Sequence, residues 1–206
     1  GYGTFTFQVQ DDGGTANGGI DLSAVHTMNV DVTAVDDLPV LVNNAGMSTF
    51  EGQSKVITAA MLSAYDVDTD PAFDPVAPYN PALVVYTVST LPVNGEIRVN
   101  GTAIGAGGTF TQADINAGIV TYVHDSSETT TDSFDFDVTQ NGAPGVFAAG
   151  TPATFNIAIT LVNDAPLSAD NTITIDEDNT YTFNLADFAF SDPNDAISNN
   201  FQAVRI

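Results

Sequence analysis

Cysteine is absent from all 206 residues. That removes disulfide staples, thiolate metal sites and cysteine nucleophiles together. Positive charge is nearly absent: Lys55, Arg98 and Arg205 stand against 26 acidic residues, for a net charge of −23. Such a balance excludes a nucleic-acid binder held by phosphate contacts and disfavours anionic membranes. No run of 18 apolar residues occurs, so no membrane-spanning helix is expected. Histidine is confined to His26 and His124, and two isolated histidines do not make a zinc cluster. His124-Asp125-Ser126 is contiguous, and adjacent strand residues point to opposite faces, so it is no catalytic triad. Tryptophan is missing, no carboxylate pair is singled out for glycoside hydrolysis, and the expectation is a protein that is not an enzyme.

What is present is a 43% share of apolar residues and a great deal of aspartate. The first makes a packed core feasible. The acid is lopsided, 22 Asp against Glu51, Glu96, Glu128 and Glu177. Asp favours turns and caps and is a hard-cation ligand, so the acid belongs to loops, and calcium is the expected cofactor. A solubilising acidic surface is the competing explanation.

A short linker occurs twice and organises the chain. Thr33–Pro39 reads TAVDDLP and Thr160–Pro166 reads TLVNDAP, each after an alternating strand, MNVDV or FNIAI. The spacing of 127 residues is one mid-sized domain. Three pieces follow: 1–37, the C-terminal part of a β-sandwich repeat; 38–164, a complete repeat; and 165–206, the N-terminal part of the next.

Alternation at period two predicts strands at Thr4–Gln10 and Val25–Val35, then at Leu83–Ser89, Glu96–Val99, Thr102–Ile104, Ile119–His124, Ser133–Thr139 and Ala153–Leu161. Asn100-Gly101 marks a tight hairpin. Thr111–Gly118 reads as one helical turn, capped by Thr111 with Asp114 and stopped by Gly118. Further strands are expected at Thr172–Ile175 and Tyr181–Phe183. The fold class is all-β: tandem antiparallel β-sandwiches of about seven strands. Tyr86, Ile97, Ile119, Phe134, Phe136, Phe155 and Ile157 are the expected core, and Phe5 and Phe7 alternate in the same way. Residues 1–37 and 165–206 hold incomplete strand sets, so neighbouring repeats or neighbouring copies are expected to complete them.

The stretch from Leu91 to Val138 contains LP-x-x-G, an NG hairpin, FTQ-x-DI-x-x-G-x-V-x-Y-x-HD and DSF-x-F-x-V. It closely resembles the cadherin-like repeat of chondroitin sulfate proteoglycans, which recurs in tandem in giant bacterial surface proteins. FQVQDDGGTANGG and ADFAFSDPND are similar to the end and start of bacterial Ig-like repeats. The resemblance implies an extracellular sandwich array, no catalysis and calcium at repeat junctions. One departure is local: the family's HDGSE is His124-Asp125-Ser126-Ser127-Glu128 here.

Calcium takes six to eight oxygens, and each junction offers three acidic segments. At the first these are Asp36 and Asp37, Glu51, and Asp66, Asp68 and Asp70. At the second they are Asn163 and Asp164, Glu177, and Asp192, Asn194 and Asp195. Asp66–Asp70 is no EF-hand, because Pro71 replaces the required glycine. Gly13–Asp21 hints at a nonapeptide calcium repeat but occurs once and cannot stack. The expected function is a structural repeat segment of a large extracellular bacterial protein, an adhesin stalk or filament stiffened by calcium. The alternative is an adhesion module that binds glycan or protein through loops such as Asp125–Asp132 or the one holding Tyr79.

Overall fold

Period-two burial builds the strands that period-two sequence predicts. The computed structural model describes residues 3–32, 37–66, 80–140 and 152–206. The chain divides into two units, Gly1–Asp36 and Asp37–Ile206.

The first unit is a hairpin of β1 (Gly3–Phe7) and β2 (His26–Val30), antiparallel with Phe5 opposite Met28. A loop with a 3-10 turn at Ala16–Gly18 joins them. Phe5 is 51% exposed, against the expectation of burial. Phe7 is half-buried against His26.

The second unit holds the sandwich. Its early strands are β3 (Val40–Asn44), β4 (Met47–Phe50), β5 (Ser54–Val56) and β6 (Leu62–Tyr65). Then come β7 (Val84–Thr90), β8 (Gly95–Val99), β9 (Thr102–Ala103) and β10 (Thr109–Thr111). The helical turn α1 (Gln112–Asn116) precedes β11 (Val120–His124), β12 (Thr131–Gln140) and β13 (Ala153–Thr160). One sheet runs β10-β7-β12-β13-β4, the other β5-β11-β8-β9, and β3 pairs with β6. All pairs are antiparallel except β4 with β13, which run parallel with Met47 opposite Ile157. That departs from the all-antiparallel expectation: β4 enters beside the last strand of its own repeat.

Between the sheets lie Tyr86, Phe110, Tyr122, Phe134, Phe136 and Phe155, all essentially inaccessible. Phe134 stacks on Phe155 at 5.1 Å and Tyr86 on Phe110 at 5.0 Å. Ile97 and Ile157 are buried as expected. Ile119 is only half-buried, because the inward phase of β11 starts one residue later, at Val120. Lys55 reaches from edge strand β5 to the Ser48 carbonyl on edge strand β4, and a lysine there blunts edge pairing.

The long motif is mostly scaffold. Asn100 (φ +50°) and Gly101 (φ +80°) form the left-handed tip of the β8–β9 hairpin. The Asp132 carboxylate accepts from the backbone N–H groups of Val93, Asn94 and Ser133 and from the Tyr122 hydroxyl, and so holds the LP-x-x-G turn. Burial, then that bond, pushes the Tyr122 phenol far above its usual range. Gly95 is needed there: a Cβ would sit 2.5 Å from the Val123 carbonyl oxygen. Thr111 and Asp114 form the expected reciprocal cap of α1. Buried Gln112 accepts from the Ala64 N–H at 2.9 Å and the Tyr86 hydroxyl at 2.7 Å, tying α1 to β6 and β7.

Residues 165–206 lie in the second unit but contain no strand. Thr172–Ile175 and Tyr181–Phe183, expected as strands, are irregular. A strand needs a neighbour for its ladder, and among the described residues none pairs with these two segments. What forms is local: a bridge between Leu167 and Ser191, and a 3-10 turn at Leu185–Phe188 with Asn184 and Asp187 as reciprocal cap.

Candidate metal centre

Five acids meet where the sandwich joins residues 165–206. Glu51 lies in the turn between β4 and β5. Its N–H donates to the Thr160 carbonyl at 2.9 Å, and its Oε2 accepts from the Val162 N–H at 3.0 Å. The residue is 6% exposed, and its Oε1 is buried with no hydrogen-bond partner.

Glu128 comes from the loop between β11 and β12. The loop is held from within. The imidazole of buried His124 accepts through Nδ1 from the N–H groups of Gly52 and Ser126 and faces the Thr129 hydroxyl through Nε2. Asp125 accepts from the Ser127 N–H, and its carboxyl is lowered first by its hydrogen bonds to Ser127. Ser126, at the place of the family's glycine, sits at φ +69°. The turn is therefore kept and the serine bears its strain. Glu128 Oε2 accepts from the Ala196 N–H at 2.9 Å, across the junction, while Oε1 is buried without a partner.

Asp164 completes the group. Ligand atoms of Glu51, Glu128 and Asp164 lie within 4.8 Å of one another. The Asp164 N–H donates to Asp195 Oδ1 at 3.0 Å. Asn199 gathers the rest: its N–H donates to Asp192 Oδ2, and its amide reaches Asp195 Oδ2 and Asn163 Oδ1. Asp192 is 5% exposed, and its Oδ1 is also buried without a partner. Among the described residues none of these acids pairs with lysine or arginine. Desolvation raises the Glu128 carboxyl above its usual value, and Glu51 and Asp195 add to the rise, while the Ala196 N–H opposes it.

The predicted ligands are divided differently from their sequence grouping. Sequence order groups Glu51 with the first linker; it stands at the second, beside Asp164. Asp66 is fully buried at the other end, where Oδ1 accepts from Gln140 Nε2 at 3.3 Å. β12 separates those ends by about 30 Å at roughly 3.3 Å per residue. Asn163, Asp164, Asp192 and Asp195 come together; Asn194 is exposed beside them, and Glu177 sits on an exposed turn. Asp37 is exposed; Asp36, Asp68, Asp70 and Tyr79 lie outside the described residues. Glu128 is the residue that sequence reasoning missed. Its signal was available: it is one of only four glutamates and ends the HDGSE-type motif.

Clustered carboxylates with no basic side chain beside them suit a hard divalent cation, and two carboxylates ~4 Å apart repel by about 4 kcal/mol at an effective dielectric of 20. Calcium fits this donor set, which is oxygen only, from the carboxylates of Glu51, Glu128 and Asp164. Fold and site define a class, a β-sandwich with an acidic cluster where it joins residues 165–206. A family of cadherin-like domains matches over residues 39–159, and the chain belongs to that family. The chain is 35% identical over 136 residues to Extracellular matrix protein 3 of Lytechinus variegatus, covering 66% of this chain and 4% of that protein. It is 30% identical over 134 residues to human FRAS1-related extracellular matrix protein 2, covering 65% and 4%. Human Extracellular matrix organizing protein FRAS1 is 33% identical over 120 residues, covering 57% and 3%. The chain thus spans only a few per cent of the length of these relatives. The cadherin-like family is a non-enzymatic one. No described helix is long and apolar enough to cross a membrane.

Proposed function

We propose that this chain is a segment of an extracellular tandem-repeat array, a surface stalk or filament of a large bacterial protein, in which calcium locks one sandwich to the next. One observation carries the reading: carboxylate oxygens of Glu51, Glu128 and Asp164 lie within 4.8 Å of one another, and Glu128 also holds the Ala196 backbone of the following segment. Cadherin-like domains generally bind calcium, and the relatives are named as extracellular matrix proteins. Without a cation the seam carries like charge and opens; with one, repulsion becomes attraction and the seam stiffens. Extracellular modules bind calcium at about 0.1–1 mM, so the lock closes outside the cell. The 125–132 loop uses its polar groups on its own turn and on the seam, which favours a spacer over a glycan-binding surface.

The test is calorimetric titration of calcium into the 206-residue chain, with small-angle scattering before and after chelation. Binding in the range of about 0.1–1 mM and a stiffer particle with calcium are expected. Absence of both heat and scattering change leaves the acid as surface charge.

A further inference from the structure

We propose that the parallel pair of β4 and β13 is the force-bearing element of the sandwich, held in shear when the chain is pulled through its two linkers. Under the reading of the chain as a segment of an array, on which this inference rests, tension enters at one linker and leaves at the other.

β4 lies near the start of the sandwich in sequence and β13 is its last strand, and among the described residues theirs is the one parallel pairing. Met47 lies opposite Ile157 and Phe50 opposite Thr160. The chain therefore enters the pair beside Asn44 and Thr154 and leaves it beyond Phe50 and Thr160, at the opposite end. Tension on the linkers draws β4 one way along its axis and β13 the other. A pair loaded along its strands strains every bond at once, because all must lengthen by the same slide. A pair loaded across its strands at one end opens bond by bond.

The row of bonds is longer than the ladder. Before it, Asn44 Nδ2 donates to the Thr154 carbonyl at 2.9 Å. After it, the Glu51 N–H donates to the Thr160 carbonyl at 2.9 Å, and the Val162 N–H donates to Glu51 Oε2 at 3.0 Å. The backbones approach closely where the ladder begins: a Cβ on Gly46 would sit 2.6 Å from the Asn156 carbonyl oxygen. Met47, Thr49, Ile157 and Ile159 are buried, so the inner face of the ladder is closed to water that would compete for its bonds. On the outer edge, Lys55 donates to the Ser48 carbonyl and ties β4 to β5. The same pull also meets β3 on β6, but that register is broken between Leu41 and Asn43, whereas the β4–β13 row is unbroken.

The experiment is single-molecule pulling of the 206-residue chain through paired cysteines, which the cysteine-free sequence makes specific. Leu38→Cys with Asn163→Cys loads the pair in shear. Gln53→Cys with Asn163→Cys loads it across the strands from the Thr160 end. All three sites are exposed. The pulls are made in chelator, so calcium binding, which tests the lock, has no part in the outcome. Forced unfolding reads the unfolding rate. At equal loading rate the shear pull is expected to rupture at the higher force. Asn44→Ala is expected to speed rupture at a given force about fivefold in the shear pull, the contribution of one hydrogen bond. It is expected to leave the other pull unchanged, because that bond lies at the far end. Equal rupture forces in the two directions overturn the proposal, and so does a shear pull that Asn44→Ala leaves unchanged.

Discussion

Residues 40–66 and 167–192 carry the same plan and reach different ends. In both, an opening segment bridges to a later one, a polar residue caps a short turn, and a buried aspartate follows: Asp66 in the first, Asp192 in the second. In the first, Ile57 and Leu62 are inaccessible; in the second, Phe183 is 63% exposed and nothing is a strand. The difference is the partner. β4 has β13 beside it and β5 has β11, whereas residues 172–183 have no ladder. Turns and caps satisfy their hydrogen bonds within a few residues, so they form in either setting; strands and cores require distant chain.

Paired substitutions sharpen that contrast. Phe136→Ala in the sandwich should cost roughly 3–5 kcal/mol by denaturant unfolding, while Phe183→Ala should cost under about 0.5 kcal/mol in dilute monomer. Equal costs would mean that residues 165–206 hold a core of their own.

Glu51 and Glu177 test the seam, since they occupy matching positions and only Glu51 is buried in it. Calcium at a hundred times its dissociation constant should stabilise the native chain by about 2.7 kcal/mol. Glu51→Gln should abolish this gain and Glu177→Gln should leave it intact. The calcium-free protein adds a pH signature. Glu128 holds its proton more tightly folded than unfolded, with a raised pKa against an ordinary 4.5. Its contribution to stability therefore falls as pH rises from that ordinary value through the raised one, and returns on acidification. Comparing thermal unfolding of wild type with Glu128→Gln across that window isolates this group. A slope unchanged by the substitution would place Glu128 outside the cluster.

The two caps should also part company. Thr111→Ala should lower global stability by about 1 kcal/mol, because α1 is built into the sandwich. Asn184→Ala should leave the global transition in place and speed amide exchange only near Leu185–Phe188. One substitution gives a gain: Ser126→Gly should stabilise by roughly 0.5–1 kcal/mol by relieving a left-handed serine. A loss there would show that the Ser126 side chain contributes more than its strain takes away.

The amino-acid sequence by itself determined the local features. The alternation of Phe134, Phe136 and Phe155, the Asn100-Gly101 tip and the Thr111–Asp114 cap depend on neighbours in sequence, and period and turn chemistry settle them there. What only the tertiary structure decided was which acids share an end. Glu51 lies 113 residues before Asp164, and the parallel entry of β4 beside β13, invisible to any local pattern, carries it to the second linker. Glu128 joins them because a turn held by His124 aims it there. The absence of strands at 172–183 was decided in the same way: an alternating sequence states a preference for pairing, and only the fold supplies or withholds the partner.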